Sequence, residues 1–261
     1  MLESPDISLR KPIQHPDQVK AHIKNIKGLD KGIEDKTAEQ IARNLTARDL
    51  WLKHETDRAE KYKGQLSEDE RLSLVDSLTG LPNHRALFGD QKANPPLIGR
   101  LEEFLSYAER SKEPFALAII DLDHFKKYND DYGHLAGNVA LQELARVIRR
   151  VIRPSDFAAR FGGEEFVVIL PGLDREQARI VIERLRQAVS AMPSQGFKGV
   201  VGERVSLLEN GITISAGLTD YSGNDPNIDS TPDALIKEAD DLLYLAKKTG
   251  RDKVVSRNKS K

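Results

Sequence analysis

The amino-acid sequence predicts an α+β, sandwich-like fold, in which helices surround a central mixed β-sheet and a helical segment precedes it. Three observations support this prediction. The length of 261 residues allows one large domain with a modest appendage. From residue 76 onward, helical apolar patterns alternate with short apolar runs typical of buried strands. Within this alternation, only Gly162-Gly163-Glu164-Glu165 separates two apolar runs, which predicts a tight hairpin and favours a mixed sheet over a doubly wound parallel one.

The first 75 residues differ from the rest because they combine few aromatic side chains with many interspersed charges. Residues 1–16 contain three prolines and are predicted to be a flexible tail. Beyond the tail, small or apolar residues recur every seven positions, at Ala38, Leu45, Leu52, Ala59 and Leu66. Two interpretations stay open at this point, a helix that packs on its own domain and a helix that dimerises.

The remaining elements follow from the spacing of apolar residues. Helices are predicted over 97–108, 141–152, 174–192 and 232–250, with Thr231 capping the last one. Strands are predicted over 115–120, 157–161, 166–170 and 212–218, with an edge strand at 254–255. The inner face of the third helix is predicted to carry Ile180, Val181, Leu185, Ala188 and Val189. Residues 193–210 show no clean period and are expected to form an insertion or a small hairpin.

Composition excludes several classes of function. The chain has no cysteine, so disulfides, thiolate catalysis and cysteine-ligated metal sites are excluded. Lys and Arg number 40 against 41 Asp and Glu, which gives no overall basic field for nucleic acid or an anionic membrane. No apolar run reaches the length of a membrane helix, and the first residues lack the apolar core of a signal peptide. We therefore expect a cytoplasmic protein with no nucleic-acid or membrane partner.

Two acidic clusters stand where a strand ends or turns. Asp121-Leu122-Asp123 closes the run 115–120, and Glu164-Glu165 forms the hairpin tip. If the hairpin lies beside that strand, the carboxylates converge and need cations between them to stay ionised. Mg²⁺ binds through a few carboxylates together with substrate phosphates, so the pattern favours a magnesium site.

Basic residues near these clusters suit phosphate groups. Lys126 enters a predicted short helix just beyond the acidic strand end, where backbone N–H groups can also face phosphate oxygens. Lys247 and Arg251 flank Gly250 near a helix end. Their charges are equally well explained by favourable pairing with the helix C-terminus.

Five segments, in order from about residue 76 to 255, resemble the GGDEF family of diguanylate cyclases. They are Asp76-x-Leu-Thr-Gly-Leu-x-Asn83, Asp121-Leu-Asp-His-Phe-Lys126 with Asn129-Asp130 and Gly133-His134, Arg160-Phe-Gly-Gly-Glu-Glu-Phe166, Ser215-Ala-Gly217, and Ala239-Asp240 through Ala246-Lys247 to Gly250-Arg251. Glu164 replaces the Asp that gives the family its name, and GGEEF is an active variant there. The resemblance implies a fold similar to nucleotidyl cyclase and polymerase palm domains, a catalytic domain at 76–257 after the lead 1–75, and a tail at 258–261.

The resemblance also implies a reaction. Two GTP molecules, one on each subunit of a homodimer, condense to cyclic di-GMP with release of two pyrophosphates, using two Mg²⁺ ions per active site, with Mn²⁺ as an alternative. The implied metal ligands are Asp121, Glu164 and the backbone carbonyl of Leu122. Glu164 or Glu165 would help deprotonate the 3′-hydroxyl. The implied substrate-binding residues are Phe125, Lys126, Asn129, His134, Asn138, Lys247 and Arg251.

Asn138 is a departure from the family pattern, because the family usually has Asp at this position. An Asp accepts two hydrogen bonds from guanine, whereas Asn offers one acceptor and one donor, as adenine requires. This favours the hypothesis of relaxed base choice and a mixed cyclic GMP–AMP product.

Arg153-Pro-Ser-Asp156 stands five residues ahead of the paired glycines, which resembles the inhibitory product site of the family. Arg184 lies where the family often has a further arginine of that site. An ordinary Arg–Asp pair near a turn explains the same pattern without a function. Two further alternatives concern the whole chain, namely a catalytically silent receptor for cyclic di-GMP and a helical interaction scaffold.

Overall fold

A computed structural model describes residues 68–93, 96–192, 212–221 and 231–257. The N-terminal tail, the heptad stripe, the predicted insertion at 193–210 and the tail at 258–261 lie outside these described residues. The chain divides into two compact units, Met1–Lys61 and Tyr62–Lys261, and all the described residues belong to the second.

The second unit contains seven described helices and seven described strands. The helices are α1 (Glu68–Leu72), α2 (His84–Phe88), α3 (Arg100–Ser111), α4 (Phe125–Tyr132), α5 (His134–Val151), α6 (Arg175–Ser190) and α7 (Pro232–Lys248). The strands are β1 (Gly89–Asp90), β2 (Leu97–Ile98), β3 (Phe115–Leu122), β4 (Phe157–Gly162), β5 (Glu165–Pro171), β6 (Ile214–Tyr221) and β7 (Val254–Ser256). Of the helices described, none combines the length and the apolar character needed to cross a membrane.

Five strands form one sheet in the order β4-β5-β3-β6-β7. The pairs β4-β5, β5-β3 and β3-β6 are antiparallel, and β7 pairs with β6 in parallel at the edge. Strands β1 and β2 form a separate small antiparallel pair. The sheet therefore confirms the predicted mixed architecture, including the hairpin β4-β5 and the edge strand.

Strand β3 lies at the centre of the sheet and is buried along its whole length. Side chains of a strand alternate between its two faces. The even-numbered residues, Ala116 to Leu122, join the main core cluster with α5 and α6. The odd-numbered residues face the other way, where the ring of Phe115 lies 6.0 Å from that of Phe104 in α3. Asp121 is odd-numbered, so it shares this second face.

Helix α7 packs closely on this second face at Gly217, which pairs with Ile119 of β3. A Cβ atom added to Gly217 would lie 2.0 Å from the carbonyl oxygen of Ala239 and 2.3 Å from the nitrogen of Leu243. The absence of a side chain therefore sets the distance between α7 and the sheet. The helix begins as predicted, with Pro232 in its first turn and the Thr231 side chain accepting from the Ala234 N–H.

Two details of the predicted elements are wrong. Leu97 lies in β2, and α3 begins only at Arg100, because Leu97 pairs with Asp90. Ile180 is 71% exposed, although it was expected on the inner face of α6. The buried residues of α6 instead follow the spacing of three and four that one helix face requires, at Ala178, Val181, Ile182, Leu185 and Val189.

The contact at Gly217 predicts a large effect of a single methyl group. Gly217→Ala should lower the free energy of unfolding by about 1–3 kcal/mol, because backbone atoms of α7 must move. Gly162→Ala is the matched control, since a Cβ there meets nothing within 4 Å, and its effect should stay within about 0.5 kcal/mol. Urea denaturation measures both, and equal stabilities of the two variants would contradict the prediction.

Candidate active site

Strand pairing gathers carboxylates at one end of the sheet. Asp121 lies directly opposite Glu165 of β5 in the antiparallel register. The N–H of Leu122 also points to the carbonyl oxygen of Glu164, at 3.4 Å. The hairpin thus lies beside the acidic strand end, which was the condition for the predicted convergence of Asp121, Glu164 and Glu165.

Asp121 is the most strongly perturbed carboxylate of this group. Its side chain is 5% exposed and contacts the Lys247 ammonium, with Oδ2 and Nζ 2.8 Å apart. Burial raises the pKa of Asp121 to about 6, and the charges of Glu164 and Glu165 add to this effect while Lys247 opposes it. Burial also raises the pKa of Glu165, against the opposing charge of Lys247. The site therefore concentrates negative charge that one lysine only partly balances.

The donor atoms at this strand end fit a hard divalent cation. The predicted ligands Asp121, Glu164 and the Leu122 carbonyl offer only oxygen, the element that Mg²⁺ prefers. Within the described ranges, no three acidic or histidine side chains are grouped closely enough to hold a metal ion by themselves. The Lys247 ammonium against Asp121 shows that this carboxylate takes a cationic partner. A bound cation would thus need water or phosphate oxygens to complete its coordination.

A second set of contacts holds the hairpin tip. Arg160 donates from Nε and Nη2 to the Gly163 carbonyl oxygen, at 3.0 and 2.6 Å. Its Nη1 donates to both carboxylate oxygens of Asp76, at 3.2 and 3.1 Å. Burial alone would raise the pKa of Asp76, but hydrogen bonds from Thr79 and the charge of Arg160 hold it below its usual value. Asp76 and Arg160 both lie in segments that resemble the GGDEF family, but their spacing in the sequence did not predict this contact.

Several predicted substrate-binding residues lie on α4 and α5, which contact each other. The side-chain oxygen of Asn129 is buried and has no hydrogen-bond partner among the described residues. A Cβ at Gly137 would lie 1.8 Å from this oxygen and 3.1 Å from the Phe125 ring. Asn138 follows Gly137 directly and is exposed, and His134 is the exposed first residue of α5. A buried acceptor without a partner is suited to a ligand that donates hydrogen bonds.

The three predicted phosphate-binding cations differ in their surroundings. Lys126 is exposed in the first turn of α4. Lys247, in the last turn of α7, pairs with Asp121. Arg251 lies in the turn after α7 with a φ of 59° and donates its N–H to the carbonyl oxygen of Ala246. The structure thus places Lys247 directly at the carboxylates and Arg251 one turn beyond it.

The predicted inhibitory residues lie apart from the carboxylates, at the end of α5. The N–H of Arg153 donates to Asp156 Oδ2 at 2.7 Å, and the N–H of Asp156 donates back to the Arg153 carbonyl at 3.0 Å. Both residues line a surface cavity of about 300 Å³ together with Arg149. Arg184 donates to the Val151 carbonyl and lines a different groove, on the outer side of α6. The structure therefore brings Arg153 and Asp156 together but does not place Arg184 in their cavity.

Comparison with known proteins identifies the family of the chain. A family model described as "Diguanylate cyclase, GGDEF domain" matches residues 73–253. The chain belongs to the GGDEF family. It is 41% identical over 196 residues to diguanylate cyclase DgcP of Pseudomonas aeruginosa, covering 75% of this chain and 26% of that protein. It is 33% identical over 236 residues to the response regulator PleD of Caulobacter vibrioides, covering 89% and 47% respectively.

Solved GGDEF structures have the same fold. The coiled coil and GGDEF domain of DgcB from Caulobacter crescentus, in complex with c-di-GMP, superimposes with a TM-score of 0.59 at 27% identity, covering 80% of this chain and 98% of that one. The active GGEEF domain of a diguanylate cyclase from Vibrio cholerae gives 0.51 at 29% identity, covering 61% and 93%. The chain spans about a quarter to a half of the length of the two curated relatives above.

The burial of Asp121 predicts an unusual pH dependence of stability. Because the pKa of Asp121 is raised on folding to about 6, the folded state holds this proton more tightly, and stability falls as pH rises from about 4 to above 6. In Asp121→Asn this loss is absent, so the variant should gain on the order of 2 kcal/mol relative to the unchanged protein between pH 4 and pH 7. Urea denaturation at a series of pH values, without divalent cations, measures the difference. A constant difference across this range would contradict the prediction.

Proposed function

We propose that the protein is a diguanylate cyclase that condenses two GTP molecules into cyclic di-GMP across a homodimer. The convergence of Asp121, Glu164 and Glu165 beside Lys247 is the observation that carries this proposal. In the reaction, the 3′-hydroxyl oxygen of each GTP forms a bond to the α-phosphorus of the other. The bond from that phosphorus to the pyrophosphate breaks, so two pyrophosphates leave and two protons are released.

The carboxylates would divide two tasks between them. Asp121, Glu164 and the Leu122 carbonyl would hold Mg²⁺, or Mn²⁺ in its place, and the bound metal neutralises charge on the reacting phosphates. Glu164 or Glu165 would accept the proton of the 3′-hydroxyl. Burial raises the pKa of Glu165, which makes this side chain a stronger proton acceptor than a fully solvated glutamate.

The remaining residues would position the nucleotide. Lys126, Lys247 and Arg251 would bind the β- and γ-phosphates, and Lys247 would exchange its contact with Asp121 for phosphate oxygens. Residues of α4 and α5 would contact the base. There the unpaired oxygen of Asn129 can accept from a base N–H, and Phe125, His134 and Asn138 would complete the base site.

The catalytic proposal predicts that purified protein with GTP and Mg²⁺ forms cyclic di-GMP and pyrophosphate. Asp121→Asn and Glu164→Gln should each lower the rate by about 100-fold or more, since each removes a charge that stabilises the phosphoryl-transfer transition state. Glu102→Gln, an exposed change of the same kind in α3, is the matched control and should leave the rate unchanged. Binding of cyclic di-GMP without any turnover would instead support the silent receptor.

Product inhibition is proposed at Arg153 and Asp156, which share one cavity with Arg149. An arginine can bind guanine or phosphate through two parallel hydrogen bonds, and an aspartate can accept from guanine N–H groups. A solved GGDEF relative is described in complex with c-di-GMP, which supports binding of the product by this family.

Arg153→Ala should therefore raise the concentration of cyclic di-GMP that halves the rate by about tenfold or more. Arg150→Ala is the matched control, because Arg150 is an exposed neighbour in α5 that does not line the cavity. Inhibition curves at fixed GTP measure both variants. An unchanged curve for Arg153→Ala would count against the site.

Relaxed base choice is the second functional proposal, and it rests on Asn138, which is exposed in α5 directly after the Gly137 that packs on Asn129. ATP should compete with GTP, and mixtures of the two should yield some cyclic GMP–AMP. Asn138→Asp should lower the share of mixed product by about tenfold, because the carboxylate leaves an adenine contact unpaired. Product analysis by mass spectrometry decides this, and exclusive formation of cyclic di-GMP by the unchanged protein would refute it.

A further inference from the structure

Asp123 is a buried carboxylate whose contacts are not used by the function proposed above. It is 9% exposed and stands two residues after Asp121. Its Oδ1 accepts from the Ser215 hydroxyl at 2.6 Å, and its Oδ2 accepts from the Thr213 hydroxyl at 2.7 Å. Oδ2 also accepts from the backbone N–H of Asp252 at 3.0 Å. Three donors thus converge on one carboxylate. Thr213 and Ser215 lie at the start of β6, whereas the Asp252 N–H belongs to a different part of the chain.

The segment that Asp123 reaches is the turn after α7. Gly250, Arg251 and Asp252 have φ values of 113°, 59° and 44°, so three successive residues adopt a conformation that side chains disfavour. Such a turn persists only when contacts hold it. The contacts that hold it include the bond from Asp252 N to Asp123, the bond from Arg251 N to Ala246, and the pairing of the Asp252 side chain with Arg186 at 2.6 Å. The Ala216 N–H also donates to the Lys253 carbonyl oxygen at 2.9 Å, and the Ser190 hydroxyl lies 3.4 Å from the Asp252 carboxylate.

The same strand end therefore contacts α7 and its turn in two places. Asp121 holds Lys247 through charge, and Asp123 holds the backbone just after Arg251. Because Asp121 and Asp123 are fixed by one strand, the distance between the carboxylate cluster and Arg251 depends on the Asp123 contact.

We propose that Asp123 is a positioning residue for nucleotide binding, which fixes the Gly250–Lys253 turn so that Arg251 meets the triphosphate. This assignment rests on the proposed role of Arg251. Asp123 itself does not touch the nucleotide or a metal ion in this assignment. Asp123 acts by holding the Asp252 N–H, which is next to Arg251. Loss of Asp123 should therefore weaken the binding of the β- and γ-phosphates.

Binding of 3′-deoxy-GTP with Mg²⁺ tests this proposal without turnover, because the attacking hydroxyl is missing. Asp123→Ala should weaken this binding by about tenfold, as Arg251→Ala should, since each costs a charge-assisted contact. Binding of GMP, which lacks the β- and γ-phosphates, should be unchanged in both variants. When Arg251 is already Ala, adding Asp123→Ala should weaken 3′-deoxy-GTP binding by less than about twofold, because the two changes share one contact.

Two further variants separate positioning from general destabilisation. In Asp123→Asn the Ser215 hydroxyl can accept from the amide while the amide oxygen keeps the Asp252 bond, so affinity should recover to within about threefold. Asp220→Ala removes a partly buried carboxylate paired with Arg175 at the opposite end of β6, where Asp220 lies across from Ala116. It should lower stability without changing the affinity for 3′-deoxy-GTP.

Hydrogen exchange of the Asp252 amide gives a measurement that needs no nucleotide. This amide should be protected in the unchanged protein and should exchange at least about tenfold faster in Asp123→Ala. An unprotected amide in the unchanged protein, or full 3′-deoxy-GTP affinity in Asp123→Ala, would overturn the assignment. If both Asp123→Ala and Arg251→Ala bind 3′-deoxy-GTP with full affinity, the proposed role of Arg251 in phosphate binding is itself refuted. Weak binding in Arg251→Ala with normal binding in Asp123→Ala would refute Asp123 alone.

Discussion

The pairing register of β3 is the constraint on which the site depends. Both neighbours of β3 are antiparallel to it, so Asp121 meets Glu165 on one side and Ser215 on the other. The side-chain period of a strand is two, so a slip of one residue would turn Asp121 toward α5 and α6. The apolar residues 116, 118, 120 and 122 in the main core prevent that slip, since they would then lose their partners. The core thus determines where the carboxylates point.

The chemistry of the site follows from placing charge where water is scarce. Asp121 is nearly inaccessible to solvent, and the burial that raises its pKa also makes a cationic partner favourable. Lys247 supplies that partner in the protein alone. The near balance of 40 basic and 41 acidic residues in the whole chain therefore conceals a local arrangement, in which acidic groups cluster at one strand end and Lys247 of α7 contacts them.

Much of this could be predicted because periodicity and turn residues are local properties of the sequence. The run 115–120 and the hairpin at Gly162 and Gly163 predicted that Asp121 and Glu165 converge if the hairpin lies beside the strand, and the strand pairing meets that condition. Contacts between distant segments have no such local signal. Arg160 and Asp76 are 84 positions apart, and Asp123 and the Asp252 N–H are 129 apart, so neither pair follows from spacing. The burial of Ile180 was predicted wrongly because its neighbours Val181 and Ile182 are also apolar, and only packing decides which of these side chains face the core.

The two hydrogen bonds from Arg160 to the Gly163 carbonyl oxygen affect the entropy of ligand binding. A tip with two successive glycines would otherwise sample many backbone conformations, and a ligand would have to select one of them at a cost in affinity. The planar guanidinium, fixed by Asp76, makes two bonds to a single carbonyl and so restricts the tip in advance. The loop that carries Glu164 is thus preorganised by the protein itself, and the energy of ligand contacts remains available for affinity.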